Sequence, residues 1–171
     1  MVAYGSKLEA GATDYEVAWS GVGQSTDIMT PLHLCMVVGA VANGGRMMEP
    51  KLLRQVATAQ GSIEKTLNPQ AYNAKLSAYE AGVLQEYMVA AVESGTGRRA
   101  AIGGYVIGGK TGTAEISSDK TVGTHAWFAG FVLDDDHPLA IVVILEKAGG
   151  GGSVAAPVAQ NVLKKALDRG Y

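Results

Sequence analysis

The sequence predicts an α+β fold in which an antiparallel sheet packs against helices. Two observations carry this. Residues 126–133 and 139–145 are apolar, strand-like runs joined by Asp134-Asp135-Asp136-His137-Pro138, a turn that makes them a hairpin. Helices with clear start signals occupy other parts of the chain, at Thr30-Pro31 and at Ser77. No internal repeat stands out. At 171 residues the chain is long enough for one domain with its own core.

Residues 1–29 are rich in Gly, Ser and Asp and weakly patterned, and are expected to be extended or looping chain. Thr30 is the N-cap of a first helix and Pro31 its first residue. The run Leu32 to Ala42 follows, and Asn43-Gly44-Gly45 ends it. Only His33 is polar in this run, so the helix should be buried on every side. Arg46 to Ala57 reads as a short extended segment broken by Pro50, with turns at Gln60-Gly61-Ser62 and Asn68-Pro69.

Ser77 and Glu80 form a capping box, which starts a second helix. Leu84, Tyr87, Met88, Ala91 and Val92 recur at helical spacing, and Gly95-Thr96-Gly97 stops it. Strands are expected near 109–116, 124–133 and 138–146. The continuous β-branched run Leu139 to Leu145 suits a strand covered on both faces. A closing helix from about 154 to 168 should lie on the sheet through Ala155, Ala159, Val162 and Ala166. Ser153 is its natural cap, but Pro157 would then fall where an amide hydrogen bond is wanted.

Composition excludes several functions. Lys+Arg number 14 and Asp+Glu 16, a net charge of −2, so no basic excess marks a nucleic-acid or anionic-membrane surface. Aromatic residues at 6% give little for stacking on bases. One cysteine, Cys35, excludes an intrachain disulfide, and His33, His125 and His137 show no metal-ligand spacing, so no metal or cofactor is expected. No apolar run approaches the ~18 residues of a membrane span, and the start of the chain lacks the pattern of a signal peptide.

The sharpest local motif is Lys110-Thr111-Gly112, followed by Thr113. On a strand, Lys110 and Gly112 share one face and Thr111 and Thr113 the other. A lysine, two hydroxyls and a glycine that admits a close backbone suit an acyl substrate bearing a carboxylate. On this motif alone, a Gly-flanked edge strand with an exposed lysine is the commoner arrangement.

The wider context favours the substrate site. In order, the chain carries Gly21-Val22-Gly23-Gln24, Thr30-Pro31-Leu32, Ala42-Asn43-Gly44-Gly45 and Glu49-Pro50. Ser94-Gly95-Thr96-Gly97, Gly109 to Ala114 and His125 to Phe131 follow. This series resembles the transpeptidase domain of penicillin-binding proteins over the whole chain. The Gly-Val-Gly-Gln stretch before Thr-Pro is similar to the class B, monofunctional group. The resemblance implies a partial penicillin-binding/β-lactamase-like fold, with the Lys-Thr-Gly triplet as the third active-site motif.

The family's nucleophile lies in Ser-x-x-Lys. That pattern occurs at Ser62-Ile63-Glu64-Lys65 and Ser117-Ser118-Asp119-Lys120, but neither lies upstream of Gly-Val-Gly-Gln, where the family places it. Both read as coincidental surface serines. The second motif, Ser-x-Asn, does not occur. Residues 1–171 therefore resemble the C-terminal part of the domain, without its nucleophile.

The resemblance implies a fragment of a peptidoglycan D,D-transpeptidase, inactive alone. Lys110 is its catalytic residue here. Thr111, Gly112 and Thr113 bind the carboxylate of a stem peptide or β-lactam, and the Thr113 amide is an oxyanion donor. The implied parent works at the outer face of the bacterial cytoplasmic membrane. A class D-like β-lactamase, a penicillin-sensing receptor domain, or a non-catalytic binding or structural module are the alternatives. The expected partners are stem peptides and β-lactams for the parent and no nucleic acid. For this chain, a homo-oligomer or association with the missing half is expected.

The other candidates have ordinary structural readings. Cys35 should be a core thiol. His33 and His125 lack partners in the pattern, and Trp127 and Phe128 should be strand core. Asp134 to Asp136 should be a solvated turn, and Arg98-Arg99 solvated surface.

Overall fold

A computed structural model describes residues 5–7, 13–24, 27–72, 76–117 and 119–171. Helices α1 (Asp14–Gly21) and α2 (Pro31–Ala42) come first. A small hairpin of β1 (Gln55–Ala57) and β2 (Ile63–Thr66) and helix α3 (Ala78–Glu93) follow. The main sheet is β3 (Ile107–Glu115), β4 (Thr124–Val132) and β5 (Ala140–Leu145), and α4 (Ala156–Leu167) closes the chain. The strand order is β3-β4-β5, with both pairings antiparallel. The expected α+β arrangement is present, with its three strands and closing helix where they were anticipated.

The sheet is covered on both faces by different helices. Ala126, Phe128 and Val132 of β4 pack against Ala156, Ala159, Leu163 and Leu167 of α4. Ala129 and Phe131 turn the other way, onto Val38 and Val41 of α2. This is the period-2 alternation of a strand expressed as two half-cores. Helix α3 contributes to both, with Val92 in the first cluster and Met88 against the second. Gly108 and Gly109 of β3 make room for the two phenylalanines. A Cβ on Gly108 would overlap the Phe131 ring, and one on Gly109 the Phe128 ring.

Three expectations need correction. Residues 13–29 are not all loop, because α1 begins at Thr13 with a capping box to Glu16. Positions 1–4, 8–12 and 25–26 of that expected loop lie outside the described residues. Helix α2 is buried on one side only. Val38, Ala40 and Val41 are enclosed, while Leu32 stays 60% exposed. The β4–β5 face covers one stripe, Leu76 and Met88 pack beside it, and Gln85 of α3 donates to the Val41 carbonyl at 2.7 Å, while the first turn of this apolar helix stays exposed.

The third correction concerns α4. Val162 and Ala166 do not face the sheet as expected, because Leu163 and Leu167 take that face and Val162 is 51% exposed. Its start also differs. A single wide turn, Gly151–Ala155, precedes it, and the Ala156 amide donates to the Gly151 carbonyl. The wider loop of chain places Pro157 at the second helical position, where no intrahelical amide bond is required.

Candidate functional site: the open edge of β3

In the order β3-β4-β5, β3 has a strand on one side only among the described residues. A groove of about 690 Å³ is lined by Lys110, Thr111, Gly112, Thr113 and Ala114 in succession. Consecutive residues of a strand point to opposite faces, so the groove runs along the open edge and onto the α2 side of the sheet, where Trp127, Ala129 and Leu34 line it. The opposite wall is Gly21 to Gln24, Asp27, Met29 and Leu34, and Trp127 and Ala129 of β4 complete it.

The far wall is held in place by a helix C-cap. After α1, the Gly23 amide donates to the Ser20 carbonyl at 2.8 Å and the Gln24 amide to the Trp19 carbonyl at 3.0 Å. That is a Schellman arrangement, and Gly23 takes the left-handed φ of +78° that it requires. The Ser20 hydroxyl then donates to Asp27 Oδ2 at 2.6 Å, which fastens the following loop to the helix. Asp27 Oδ1 is buried without a hydrogen-bond partner among the described residues.

The four residues expected to form the site are brought together. The β3–β4 register sets Lys110 opposite Ala129, Thr111 opposite Phe128, Gly112 opposite Trp127 and Thr113 opposite Ala126. Lys110 and Gly112 therefore share the α2 side, and Thr111 and Thr113 the α4 side. Lys110 is exposed, and its ammonium donates to the Thr111 carbonyl at 2.6 Å. The charge is thus held at the strand edge and, among the described residues, enters no ion pair.

Both threonine hydroxyls already have one protein partner. The Gly151 amide donates to Thr113 Oγ1 at 3.2 Å. Thr111 Oγ1 lies 2.8 Å from Thr96 Oγ1, in the turn after α3. A hydroxyl has one proton and two acceptor sites. Thr113 is used as an acceptor only, and one proton of the Thr96–Thr111 pair remains uncommitted. The edge accordingly presents the Thr113 hydroxyl as a donor beside an ammonium, and Thr111 as a second donor when Thr96 donates to it, an arrangement suited to a carboxylate.

The remaining candidates fall elsewhere. Ser62 is in the β1–β2 turn and Ser117 follows β3, where its hydroxyl accepts from the Asp119 amide at 3.1 Å. Neither lines the groove. Cys35 is half-buried on α2, and burial pushes its thiol pKa up, away from nucleophilic thiolate. Phe128 is core, as expected, but Trp127 is only partly buried and lines the groove. Arg99 is not merely solvated, since Nη1 donates to the Ser153 carbonyl at 3.1 Å. His125 Nδ1 accepts from the Lys147 amide at 3.2 Å. Asp134 Oδ1 organises its own turn by accepting from the Asp136 and His137 amides. Among the described residues no His, Cys, Asp and Glu cluster could hold a metal ion.

Asp27, Met29 and Leu34 were not anticipated as wall residues. Their presence depends on how the loop after α1 folds back. Trp127 could have been found by pairing the motif strand with the next strand, since the register places it across from Gly112.

The fold is thus an α+β arrangement, a helix-covered antiparallel sheet whose edge strand carries the Lys110-Thr111-Gly112 groove. A family model of the penicillin-binding protein transpeptidase domain matches residues 5–164, and the chain belongs to that family. It is 33% identical to the peptidoglycan D,D-transpeptidase MrdA of Haemophilus influenzae over 164 residues, which are 87% of this chain and 25% of that protein. It is 33% identical to the peptidoglycan D,D-transpeptidase PbpA of Mycolicibacterium smegmatis, over 88% of this chain and 32% of that protein.

Among solved structures, penicillin-binding protein A from M. tuberculosis, as its ceftriaxone acyl-enzyme complex, superposes with a TM-score of 0.87 at 28% identity. The match covers 95% of this chain and 38% of that one. The chain thus spans about a quarter to two fifths of the relatives it matches, and is a fragment of a penicillin-binding transpeptidase domain.

Proposed function

We propose that residues 1–171 are the C-terminal part of a class B-like D,D-transpeptidase domain of peptidoglycan synthesis. In this reading they supply its carboxylate-binding strand and are inactive alone. The observation that carries this is the open edge of β3, with Lys110, Thr111 and Thr113 lining one groove. In the parent reaction the family's serine would attack the penultimate D-Ala carbonyl of a stem peptide and release the last D-Ala. The acyl group then passes to an amine of a second stem peptide. Here Lys110 holds positive charge beside the edge, and Thr111 and Thr113 donate to the terminal carboxylate. Gly112 keeps the approach clear of a side chain, and the Thr113 amide serves as one oxyanion donor.

A peptide carboxylate is the ligand that this donor set suits, and a β-lactam carboxylate would take the same place. The parent would work at the outer face of the cytoplasmic membrane. Among the described residues, no helix is long and apolar enough to cross a membrane.

An amide-resolved NMR titration with N-acetyl-D-alanyl-D-alanine tests the site. Shifts should concentrate at residues 110–114 and 151–153 and weaken with Lys110→Gln. The C-terminal amide of the same peptide should bind more weakly. Shifts confined to other surfaces would contradict the assignment.

A further inference from the structure

Ser94-Gly95-Thr96-Gly97 belongs to the sequence pattern but has no part in the function derived so far. The structure places it directly behind the motif strand. Thr96 Oγ1 lies 2.8 Å from Thr111 Oγ1, and Thr111 is only 9% exposed. We propose that Thr96 is a positioning residue for the carboxylate site, donating its hydroxyl proton to Thr111 Oγ1 so that the Thr111 proton points along the open edge of β3. This rests on the reading of that edge as a carboxylate site.

The turn that carries Thr96 is fixed on every side. The Gly97 amide donates to the Ala91 carbonyl at 2.9 Å, bringing the chain back over the end of α3. A side chain at Gly95 could not follow, because its Cβ would stand 2.8 Å from the Ala91 carbonyl oxygen. On the other side, Gly152 lies so close that its Cβ would come within 2.5 Å of the Thr96 carbonyl oxygen. Just beyond the turn, Arg99 reaches the Ser153 carbonyl at 3.1 Å and Gln160 Nε2 the Ala101 carbonyl at 2.6 Å. Ala100 between them is fully buried in the α4-side core.

Proton placement follows from this geometry. Two hydroxyls in contact share one proton between them, and the other stays free. When Thr111 donates to a ligand carboxylate, only Thr96 can donate within the pair. The chain of two hydrogen bonds polarises Thr111 in the direction that strengthens its bond to an anion. Without the Thr96 hydroxyl, Thr111 Oγ1 keeps its place but loses the donor that selects its rotamer. A neutral ligand terminus gains little from this polarisation, so the effect should depend on the ligand's charge.

The test measures dissociation constants by NMR titration of the 171-residue chain with N-acetyl-D-alanyl-D-alanine and, separately, its C-terminal amide. Thr96→Val removes the hydroxyl at nearly constant shape, and Thr96→Ser restores it. Thr96→Val should weaken the acid about 10-fold, as expected for one hydrogen bond to a charged group, and the amide less than about 2-fold. Thr96→Ser should bind like the unsubstituted chain. In a Thr111→Val background, Thr96→Val should have no further effect, because the two act as one unit.

Equal weakening of acid and amide would show a structural role and overturn the proposal. So would unchanged binding by Thr96→Val while Lys110→Gln weakens the acid, an outcome that leaves the site reading standing. No binding of the acid to the unsubstituted chain would overturn both. Thr96→Ala, read against a thermal melt, replaces Thr96→Val if the valine variant does not fold, with the same outcomes expected.

Discussion

The amide of Gly151 donates to the hydroxyl of Thr113 across 3.2 Å, joining the wide turn before α4 to the motif strand. Only glycine allows this approach. A Cβ at 151 would collide with the carbonyl oxygens of Trp127 and Gly112 and stand 2.9 Å from the Gly112 amide nitrogen. All three are backbone atoms of a paired strand and cannot rotate away. Gly151→Ala should therefore cost about 3 kcal/mol, at the upper end for overpacking, measured by urea unfolding. It should also disturb Thr113 amide shifts. A loss under about 0.5 kcal/mol would show that the turn is free to move off β3.

The chain should form no covalent adduct with a penicillin. Ser62 and Ser117 lie outside the groove, and among the described residues neither hydroxyl is hydrogen-bonded to a basic side chain. Intact-mass spectrometry after incubation should show unmodified protein. A stoichiometric penicilloyl mass that disappears with Ser62→Ala or Ser117→Ala would refute this.

The isolated chain should self-associate. β5 has a strand on one side only, and its outer edge is free among the described residues. Leu32 on α2 is 60% exposed, and Tyr79 and Tyr87 on α3 are 81% and 69% exposed. Free strand edges and apolar patches both recruit partners. Burying ~500 Å² of apolar surface contributes roughly 12 kcal/mol before association costs. A dimer is the simplest outcome. Size-exclusion chromatography with light scattering decides it, and a monodisperse monomer of 17.7 kDa at micromolar concentration would contradict it.

The β4–β5 turn should weaken in acid. The hydrogen bond from His137 to Asp134 is the largest cause holding the Asp134 carboxyl below its ordinary value. A carboxyl lowered by folding adds stability above its unfolded pKa, near about 3.9. That stability is lost as pH falls through the lower folded value. The gap in urea midpoint between the unsubstituted chain and Asp134→Asn should be widest near pH 6. It should close as pH falls below about 4. A constant gap from pH 6 to pH 2 would show that the charge plays no part.

Some of this was legible in the residues themselves. Ser77 and Glu80, Thr30 and Pro31, and the Asp134–Pro138 turn act on their immediate neighbours, so their consequences can be read locally. The alternation of Lys110 and Gly112 against Thr111 and Thr113 is likewise a property of any strand. The capping box at Thr13 was as readable as the one at Ser77, but α1 buries no residue, so no apolar period marked it.

The groove itself was decided only by tertiary structure. Trp127 meets Gly112, and Thr111 meets Thr96, through register and packing between segments whose spacing carries no signal. Asp27 reaches the wall because a glycine with φ of +78° turns the chain back after α1. The extent of burial of α2 was also a tertiary matter. A sequence states which side chains avoid water, whereas the number of neighbours available to cover them depends on what the rest of the chain places there.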